Sequence, residues 1–291
     1  MLLHEAWKAR LYELLYTGKP IHPRAGSSAG STQELLCRKF AFADSRRNVL
    51  DVPERNLNYR FAVAEWVWMM FGHSDVTTIS QYNHVLKEFS DDGVWLTGAY
   101  GPHINAQRRY IIDKLKADPA TRQAVIEIPR PRRFTKDEPC TLSLQFLRRD
   151  GYLHQVATMR SSDIWLGIPY DVFTFTMLQN CLAGELGVKR GWFALNAGSS
   201  HLYDRDTDVA RDAMNSVSGD SLFTNDLPGF PPSWLDSILV TRDRRFIPQA
   251  GNAADAPWLP FAEVLLCETR AQARDVLRTS QPTVLNGRLT V

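Results

Sequence analysis

The sequence predicts one domain of the α/β (α+β) class over residues 1–291, built on a mixed β-sheet. Segments with helical spacing of apolar residues alternate with strand-like segments, and no linker composition separates them. The 291 residues and the hydrophobic fraction of 44% allow one large buried core. The ordinary charged fraction of 23% and the lack of repeats exclude a disordered, collagen-like or coiled-coil chain.

The helices are predicted from apolar residues three or four positions apart and from the residues that end each segment. The first has Leu3, Trp7, Leu11 and Leu14 on one face. The predicted helix over 171–186 stops at Gly187, since glycine commonly ends helices. In chain order the predicted helices are 1–16, 57–72, 104–117, 171–186 and 261–278.

The strands are predicted from alternation of polar and apolar residues. They lie within 34–44 and over 122–128, 140–147 and 192–204. Residues 17–33 are rich in Gly, Ser and Pro, which predicts a loop, and the prolines after residue 217 predict a loop-rich region.

Asp150-Gly151 is a strong signal for a two-residue β-hairpin. Paired residue numbers then sum to 301, so Cys140 lies opposite Ser161 and Thr141 opposite Arg160, unless a bulge shifts the register by one. Either register brings a thiol beside a guanidinium, which favours the nucleophilic thiolate. A buried strand cysteine that acts as a small hydrophobe is the alternative.

Glu65 is the one acidic residue of the apolar helix 57–72. Positions three and four residues away hold Phe61, Ala62, Trp68 and Met69, so no cation on the same helix can pair with it. A carboxyl among aromatic rings tends to keep its proton, which suits a general acid or base. A solvated glutamate on the helix surface is the alternative.

The charge balance and the cysteines limit the possible partners. A net charge of +2 gives no reason to expect a nucleic-acid polymer or a membrane as partner. No apolar run is long enough to span a bilayer, and the first residues do not resemble a signal peptide. The four cysteines form no CxxC pair and no metal-ligand spacing occurs, so we expect no metal and a reducing, cytoplasmic setting.

Six segments in the same order resemble motifs of the thymidylate synthase family. Glu-Pro-Cys at 138–140 resembles its nucleophile segment, and RSSDIWLGIPYD at 160–171 resembles its long signature. The other four are Ala-Glu-Trp-Val-Trp at 64–68, Gly-Ala-Tyr-Gly at 98–101, Asp-Pro-Ala-Thr-Arg at 118–122 and His-Leu-Tyr at 201–203. The resemblance implies a three-layer α/β fold with a mixed sheet, and a homodimer in which two such sheets pack back to back.

The resemblance also implies a role for each matching residue. Cys140 would attack C6 of a pyrimidine nucleotide, and C5 would then take the one-carbon unit of 5,10-methylenetetrahydrofolate. Glu65 would organise water and proton transfers, with Tyr100 and position 171 as further catalytic residues. The nucleotide would be bound by Arg24, Arg160, Ser161, His201 and Tyr203, and by Arg122 reaching the partner's active site. The folate side would be lined by Asp163, Leu166, Gly167 and Tyr170.

Asp171 stands where the family has an asparagine that reads the base, and this departure predicts the substrate. An amide complements O4 and N3–H of uracil, whereas a carboxylate accepts from N4–H of cytosine and shares a proton with N3. An ionised Asp171 would place a hydrogen-bond acceptor against O4 of uracil, which is also an acceptor, and the site would reject this mismatch. Cytosine is therefore the predicted base, and an N-cap role at the start of a helix is the alternative.

A second departure concerns the product. The family has a tryptophan near the reacting one-carbon group, and Leu86 or a neighbour stands at that position here. Without the indole, water could reach the group before hydride does, which predicts a hydroxymethyl product. The Phe-Ser-Asp-Asp-Gly segment at 89–93 and Pro-Tyr-Asp-Val-Phe-Thr at 169–174 also resemble the deoxycytidylate hydroxymethylases of phages. The sequence thus predicts conversion of dCMP to 5-hydroxymethyl-dCMP.

Other departures leave alternatives open. Gln123 replaces a second phosphate-binding arginine, for which Arg130, Arg132 or Arg133 could substitute, and Thr141 replaces a histidine. The last residues, up to Val291, lack the family's usual closing tail, and the cysteines at 37, 181 and 267 match no motif and are expected to be structural.

The alternatives to the predicted function are a hydroxymethylase of ribose CMP, a methylase of dCMP or dUMP, and a non-catalytic nucleotide or RNA binder.

Overall fold

The computed structural model describes residues 1–23, 30–131, 133–248, 253–280, 283–285 and 288–290. Within these ranges, helices pack against a six-stranded sheet. The helices are α1 (Leu3–Thr17), α2 (Tyr59–Met70), α3 (Val76–Ile79), α4 (Gly101–Ala117), α5 (Ile168–Leu186), α6 (Thr207–Asn215), α7 (Ser233–Thr241), α8 (Leu259–Leu266) and α9 (Arg270–Thr279).

The strands of the large sheet run in the order β1-β2-β7-β6-β5-β4. All neighbours are antiparallel except β6 and β7, which are parallel and joined through α5, so the sheet is mixed as predicted. Two short pairs, β3 with β8 and β9 with β10, lie outside it. The strands are β1 (Lys19–Ile21), β2 (Thr32–Phe42), β3 (Val49–Asp51), β4 (Val125–Glu127), β5 (Thr141–Arg149), β6 (Tyr152–Asp163), β7 (Lys189–Tyr203), β8 (Asp220–Leu222), β9 (Thr283–Leu285) and β10 (Arg288–Thr290).

Helix α5 is the centre of the core. Nearly every residue from Ile168 to Ala183 is buried, because the helix packs against the sheet on one side and against α2 on the other. The apolar helix α2 is in turn covered by α8 and α7. Helices α2 and α5 therefore pack against each other, and the few polar residues on their contacting faces come together.

The hairpin between β5 and β6 forms as predicted. Asp150 and Gly151 both have positive φ, at 51° and 79°, as a type I′ turn requires. Residue pairs from Arg149 and Tyr152 up to Ser143 and Thr158 keep the predicted sum of 301. An irregularity between Thr141 and Ser143 then shifts the register by one residue.

Several predicted boundaries were wrong for local reasons. The predicted loop 17–33 contains β1 and the start of β2, which pairs with β7. Helix α5 begins at Ile168 rather than 171, with Pro169 in its first turn. The predicted helix 261–278 is two helices, because Thr269 caps α9 by accepting a hydrogen bond from the backbone N–H of Gln272.

Candidate active site

Cys140 lies immediately before β5, beside the register shift. The backbone N–H of Arg160 donates to the carbonyl oxygen of Cys140 at 2.8 Å, and Thr141 pairs with Met159. Cys140 therefore lies opposite Arg160, and the simple register that placed it opposite Ser161 is wrong by the one residue that a bulge allows. The irregularity places the thiol and the guanidinium on directly opposed residues.

The guanidinium of Arg160 borders the segment that carries the thiol. Its Nε donates to the carbonyl of Pro139 at 3.1 Å and its Nη2 to that of Glu138 at 2.9 Å. Its charge lowers the pKa of the Cys140 thiol, but burial raises that pKa more, and Asp171 and Asp137 add to the rise. The expectation of a favoured thiolate was therefore wrong, because desolvation outweighs the cation in this environment.

A cavity of about 150 Å³ opens between α2, α5 and the segment before α4. Three carboxylates line it, from Glu65, Asp137 and Asp171. The remaining wall is mostly apolar and includes the ring of Tyr100. It is completed by Trp68, Met69, Ile79, Leu86, Leu96, Gly98 and Ala99.

Glu65 points from α2 into this cavity. Burial raises its pKa to about 7, and a hydrogen bond from the hydroxyl of Thr174, at 3.2 Å from Oε2, opposes the rise. The sequence predicted a carboxyl that keeps its proton among aromatic rings, and this environment agrees with that prediction. A group with a pKa near neutrality can both give and take a proton.

Asp171 lies in the first turn of α5, and Gly167 is the N-cap residue, so the N-cap interpretation of Asp171 is wrong. Burial, with Glu65 and Asp163 nearby, raises the pKa of Asp171 well above its usual value. No described residue donates a hydrogen bond to its carboxyl group. The predicted mismatch with uracil assumed an ionised Asp171, whereas this environment favours the protonated acid.

Tyr100 joins the cavity to the nucleophile segment. Its hydroxyl oxygen accepts a hydrogen bond from the backbone N–H of Thr141 at 3.3 Å, one residue after Cys140. Burial raises the pKa of the phenol, so the hydroxyl keeps its proton and can donate it in a hydrogen bond.

Three predicted nucleotide-binding residues lie together at the ends of β6 and β7. Oγ of Ser161 is 3.4 Å from Nδ1 of His201, and the rings of His201 and Tyr203 meet edge to face at 5.4 Å. The guanidinium of Arg205 lies 4.3 Å from the centre of the Tyr203 ring. Burial lowers the pKa of His201 and the charge of Arg160 adds to this effect, so the guanidinium of Arg160 also lies near this group of hydroxyls and imidazole.

The other predicted phosphate ligands are dispersed. Arg122 is exposed, and its side chain makes no hydrogen bond or ion pair within the described part of the chain. Gln123 accepts a hydrogen bond from Nζ of Lys114 at 3.0 Å, while Arg130 forms an ion pair with Glu138. Arg133 is exposed. Arg24, Arg132 and Val291 lie outside the described residues.

The predicted folate side contains a carboxylate oxygen without a partner. Oδ1 of Asp163 accepts from the backbone N–H groups of Trp165 and Leu166, at 2.7 and 2.9 Å. Its Oδ2 is buried and receives no hydrogen bond from any residue the structure describes. A side chain at Gly167 would crowd the carbonyl of Asp163 and the carboxyl of Asp171, so only glycine leaves that space open.

Leu166 is 40% exposed near this acid. Tyr170 faces inward, since its hydroxyl accepts from the backbone N–H of Asn58 at 3.2 Å and its ring packs on Phe61. The structure thus brings Asp163, Leu166 and Gly167 together around an unpaired acceptor, whereas the polar end of Tyr170 is engaged within the protein.

Two polar residues of the site were not predicted from the sequence. Thr174 lies one turn after Asp171 on α5, and that spacing could have placed it on the same face. Asp137 lies three residues before Cys140 and lines the cavity, but its partner Gly98 is far away in sequence. The buried Cys181 and the exposed Cys37 lie outside the site.

No cluster of three or more His, Cys, Asp or Glu side chains in the described ranges is arranged to hold a metal ion. None of the described helices has the length and hydropathy needed to cross a membrane.

Comparison with known proteins agrees with the motifs. The family profile described as thymidylate synthase matches residues 6–220. The deoxyuridylate hydroxymethyltransferase of Bacillus phage SP01 is 33% identical over 210 residues, which are 64% of this chain and 55% of the relative. The chain thus spans about half the length of that relative. A thymidylate synthase of Bacillus mojavensis is 24% identical over 193 residues, covering 61% of this chain and 68% of the relative.

The fold also has a solved counterpart. The thermostable thymidylate synthase A from Bacillus subtilis superposes with a TM-score of 0.65 at 20% identity, covering 76% of this chain and 87% of that structure. The predicted α/β fold with a mixed sheet is confirmed by this match together with the strand order.

Proposed function

The chain belongs to the thymidylate synthase family, and on that premise we propose that it is a deoxycytidylate 5-hydroxymethyltransferase. It would transfer the one-carbon unit of 5,10-methylenetetrahydrofolate to C5 of dCMP and add water, giving 5-hydroxymethyl-dCMP and tetrahydrofolate. The observation that carries the proposal is the position of Asp171, an acid in the cavity beside Cys140 where the family has an amide.

Asp171 supports cytosine because it can supply the proton that cytosine lacks. Cytosine has no hydrogen on N3, so a bond there needs a donor from the protein, while N4–H needs an acceptor. A protonated Asp171 offers both, and burial favours that form by raising its pKa. A proton shared with N3 withdraws electrons from the ring and makes C6 more open to attack by Cys140.

The thiol and its neighbours would then carry the covalent steps. Burial raises the pKa of the Cys140 thiol, and the charges of Arg160 and Arg130 act in the opposite direction. Attack of the sulfur on C6 places a negative charge on the ring, which the shared proton at N3 neutralises. Glu65, with a pKa of about 7, would relay protons to and from the base, including the removal of the C5 hydrogen.

The groups at the strand ends suit the rest of the nucleotide. Arg160 would bind the 5′-phosphate with Ser161, since a guanidinium matches phosphate oxygens. His201 and Tyr203 would bind the 3′-hydroxyl, and the hydroxyl of Ser161 contacts the imidazole of His201. Arg122 would reach the phosphate in the partner's site of a homodimer, and its exposed side chain is free to do so within the described structure.

The residues of the folate side fit a pterin. A pterin edge presents N–H donors, and the unpaired, buried Oδ2 of Asp163 is an acceptor without a donor in the described structure. The space kept open by Gly167 would admit a flat ring next to that acid, with exposed Leu166 at its edge. When bound, methylenetetrahydrofolate supplies a one-carbon unit at the oxidation level of formaldehyde.

Leu86 supports the hydroxymethyl product. The motifs assign the family's tryptophan position to Leu86 or a neighbour. Leu86 lines the cavity, and its side chain is smaller than an indole. The space it leaves beside the apolar wall would admit water to the one-carbon group.

A second candidate is hydroxymethylation of dUMP. A protonated Asp171 can also donate to O4 of uracil and accept from N3–H, and the phage relative is a deoxyuridylate hydroxymethyltransferase.

The test is tritium release from 5-tritiated dCMP and from 5-tritiated dUMP in parallel, with mass analysis of each product. We expect tritium release and a product heavier by CH2O from dCMP. A product heavier only by CH2, or turnover of dUMP alone, would refute the proposed function.

A further inference from the structure

Asp137 is a carboxylate of the cavity for which the motif residues above leave no role. It precedes Cys140 by three residues, and its Oδ2 accepts a hydrogen bond from the backbone N–H of Gly98 at 2.8 Å. The two segments touch so closely that a side chain at Gly98 would overlap the backbone of Asp137. The acid is thus fixed against the wall of the cavity rather than placed on a loose surface loop.

The second oxygen of this carboxyl group is available to a ligand. No described residue donates a hydrogen bond to Oδ1 of Asp137, although the side chain lines the cavity together with Leu86, Glu65 and Asp171. Its charge also reaches the thiol of Cys140, because it contributes to the raised pKa of that thiol. Asp137 therefore borders both the nucleophile and the space beside Leu86.

We propose that Asp137 is the general base that binds and deprotonates the water molecule added to the one-carbon group. This inference rests on the hydroxymethyltransferase function proposed above. Of the other two cavity carboxylates, Asp171 would be occupied by the base, and Glu65 would serve the proton transfers at the ring. Asp137 is fixed through one oxygen, receives no hydrogen bond on the other from any described residue, and lines the same cavity as Leu86.

The chemical step balances without a further reactant. After the one-carbon unit is transferred and the C5 proton is lost, the nucleotide carries an exocyclic methylene at C5 and remains bonded to Cys140 through C6. The oxygen of water forms a bond to the methylene carbon, and its proton passes to Asp137. The electrons of the exocyclic double bond move into the ring and re-form the C5–C6 double bond, which expels the Cys140 thiolate. The proton on Asp137 then returns to the thiolate or to solvent.

Burial makes Asp137 a better base than an exposed aspartate. Desolvation and the charge of Asp91 raise its pKa, while the Gly98 bond holds the carboxylate form. A base whose pKa lies closer to the working pH takes a proton from water more effectively.

The test compares Asp137→Asn with Asp92→Asn. The first variant keeps an oxygen for the Gly98 N–H but removes the basic carboxylate. Asp92 is a matched control because its Oδ1 accepts from the backbone N–H groups of Val94 and Trp95 and its side chain does not line the cavity. For Asp137→Asn we expect formation of 5-hydroxymethyl-dCMP to fall about 10²-fold, the lower range for loss of a general base. For Asp92→Asn we expect wild-type turnover.

Two readouts separate this role from a structural one. Tritium release in the first turnover and dCMP affinity without folate should be unchanged in Asp137→Asn, since both precede water addition. Intact-protein mass spectrometry after quenching should show the methylene nucleotide accumulating on Cys140. An equal loss of tritium release and product formation, or a wild-type rate of hydroxymethylation, would overturn the proposal.

Failure of the proposed function gives a different pattern. A wild-type enzyme that makes only a methyl product would overturn both proposals. A wild-type enzyme that hydroxymethylates dUMP rather than dCMP would overturn the choice of cytosine alone, and the same readouts with dUMP would then decide the role of Asp137.

Discussion

The hydroxyl of Thr174 on α5 donates a hydrogen bond to Oε2 of Glu65 on α2 at 3.2 Å. It is the one hydrogen bond to this carboxylate in the described structure, and it holds the pKa of Glu65 down against burial, leaving it at about 7. The contact between two core helices thus determines whether a cavity carboxyl is charged at neutral pH.

Replacing Thr174 with valine should move this ionisation upward. Valine keeps the shape of threonine but removes the donor, so the charged form of Glu65 is less stable and its pKa rises above 7. The ionisation in the pH profile of kcat/KM should shift to higher pH in Thr174→Val and stay in place in Thr174→Ser. An unshifted profile in the valine variant would contradict the assignment of that ionisation to Glu65.

The same group predicts a pH dependence of stability. Glu65 has a pKa of about 7 in the folded protein and a reference value of 4.5. The folded state therefore keeps a proton that the unfolded chain loses, and stability falls as pH rises from about 4.5 to 7. Relative to wild type, Glu65→Gln should gain up to about 3 kcal/mol in unfolding free energy between pH 4.5 and 8, at 1.36 kcal/mol per pKa unit. Urea unfolding of both proteins at the two pH values measures this gain. If the difference in unfolding free energy between Glu65→Gln and wild type were the same at both pH values, that result would count against a buried, protonated Glu65.

The sequence predicted the parts of this arrangement that depend on local pattern. The α1, α2 and α5 helices follow from apolar spacing, and the turn at Asp150-Gly151 follows from two residues that tolerate positive φ. The family motifs supplied the site residues, and the structure brings Glu65, Tyr100 and Asp171 to one cavity, next to Cys140. These features are encoded within a few residues of one another.

Features that depend on distant partners could not be predicted in this way. The register shift at Thr141 arises between two strands, and the raised thiol pKa arises from burial by elements far apart in the chain. Asp137 became recognisable only through its contact with Gly98, thirty-nine positions earlier. The raised pKa of Asp171 likewise depends on burial and on acids from two other elements.

Asp171→Asn should exchange the preferred base. The amide has no acidic proton to share with N3 of cytosine, whereas it complements O4 and N3–H of uracil. We expect kcat/KM for dCMP to fall by about 10²-fold or more and turnover of dUMP to appear or increase, as sites built on hydrogen bonds discriminate strongly. Competition between the two tritiated nucleotides measures the ratio. An unchanged preference would show that Asp171 does not read the base.

Leu86→Trp should change the fate of the one-carbon group. An indole at this position would fill part of the cavity and exclude water, so hydride transfer from folate can compete with hydroxylation. We expect the methyl product to become a major product, with dihydrofolate formation visible by absorbance. Val85→Trp is the control, because the adjacent Val85 is 40% exposed and does not line the cavity. A purely hydroxymethyl product from Leu86→Trp would rule out Leu86 as the determinant of water access.

Arg122 should act in the active site of the partner subunit if the protein is a homodimer. Cys140→Ala lacks the nucleophile and Arg122→Ala lacks the phosphate ligand, so each homodimer should turn over poorly at low dCMP. When the two variants are co-refolded in equal amounts, half of the dimers are mixed, and each of these contains one site with both residues intact. The mixture should recover about a quarter of wild-type activity, as expected for random pairing in a two-fold dimer. If Arg122 served its own subunit, no mixed dimer would contain an intact site, and the mixture would show only the average of the two parents.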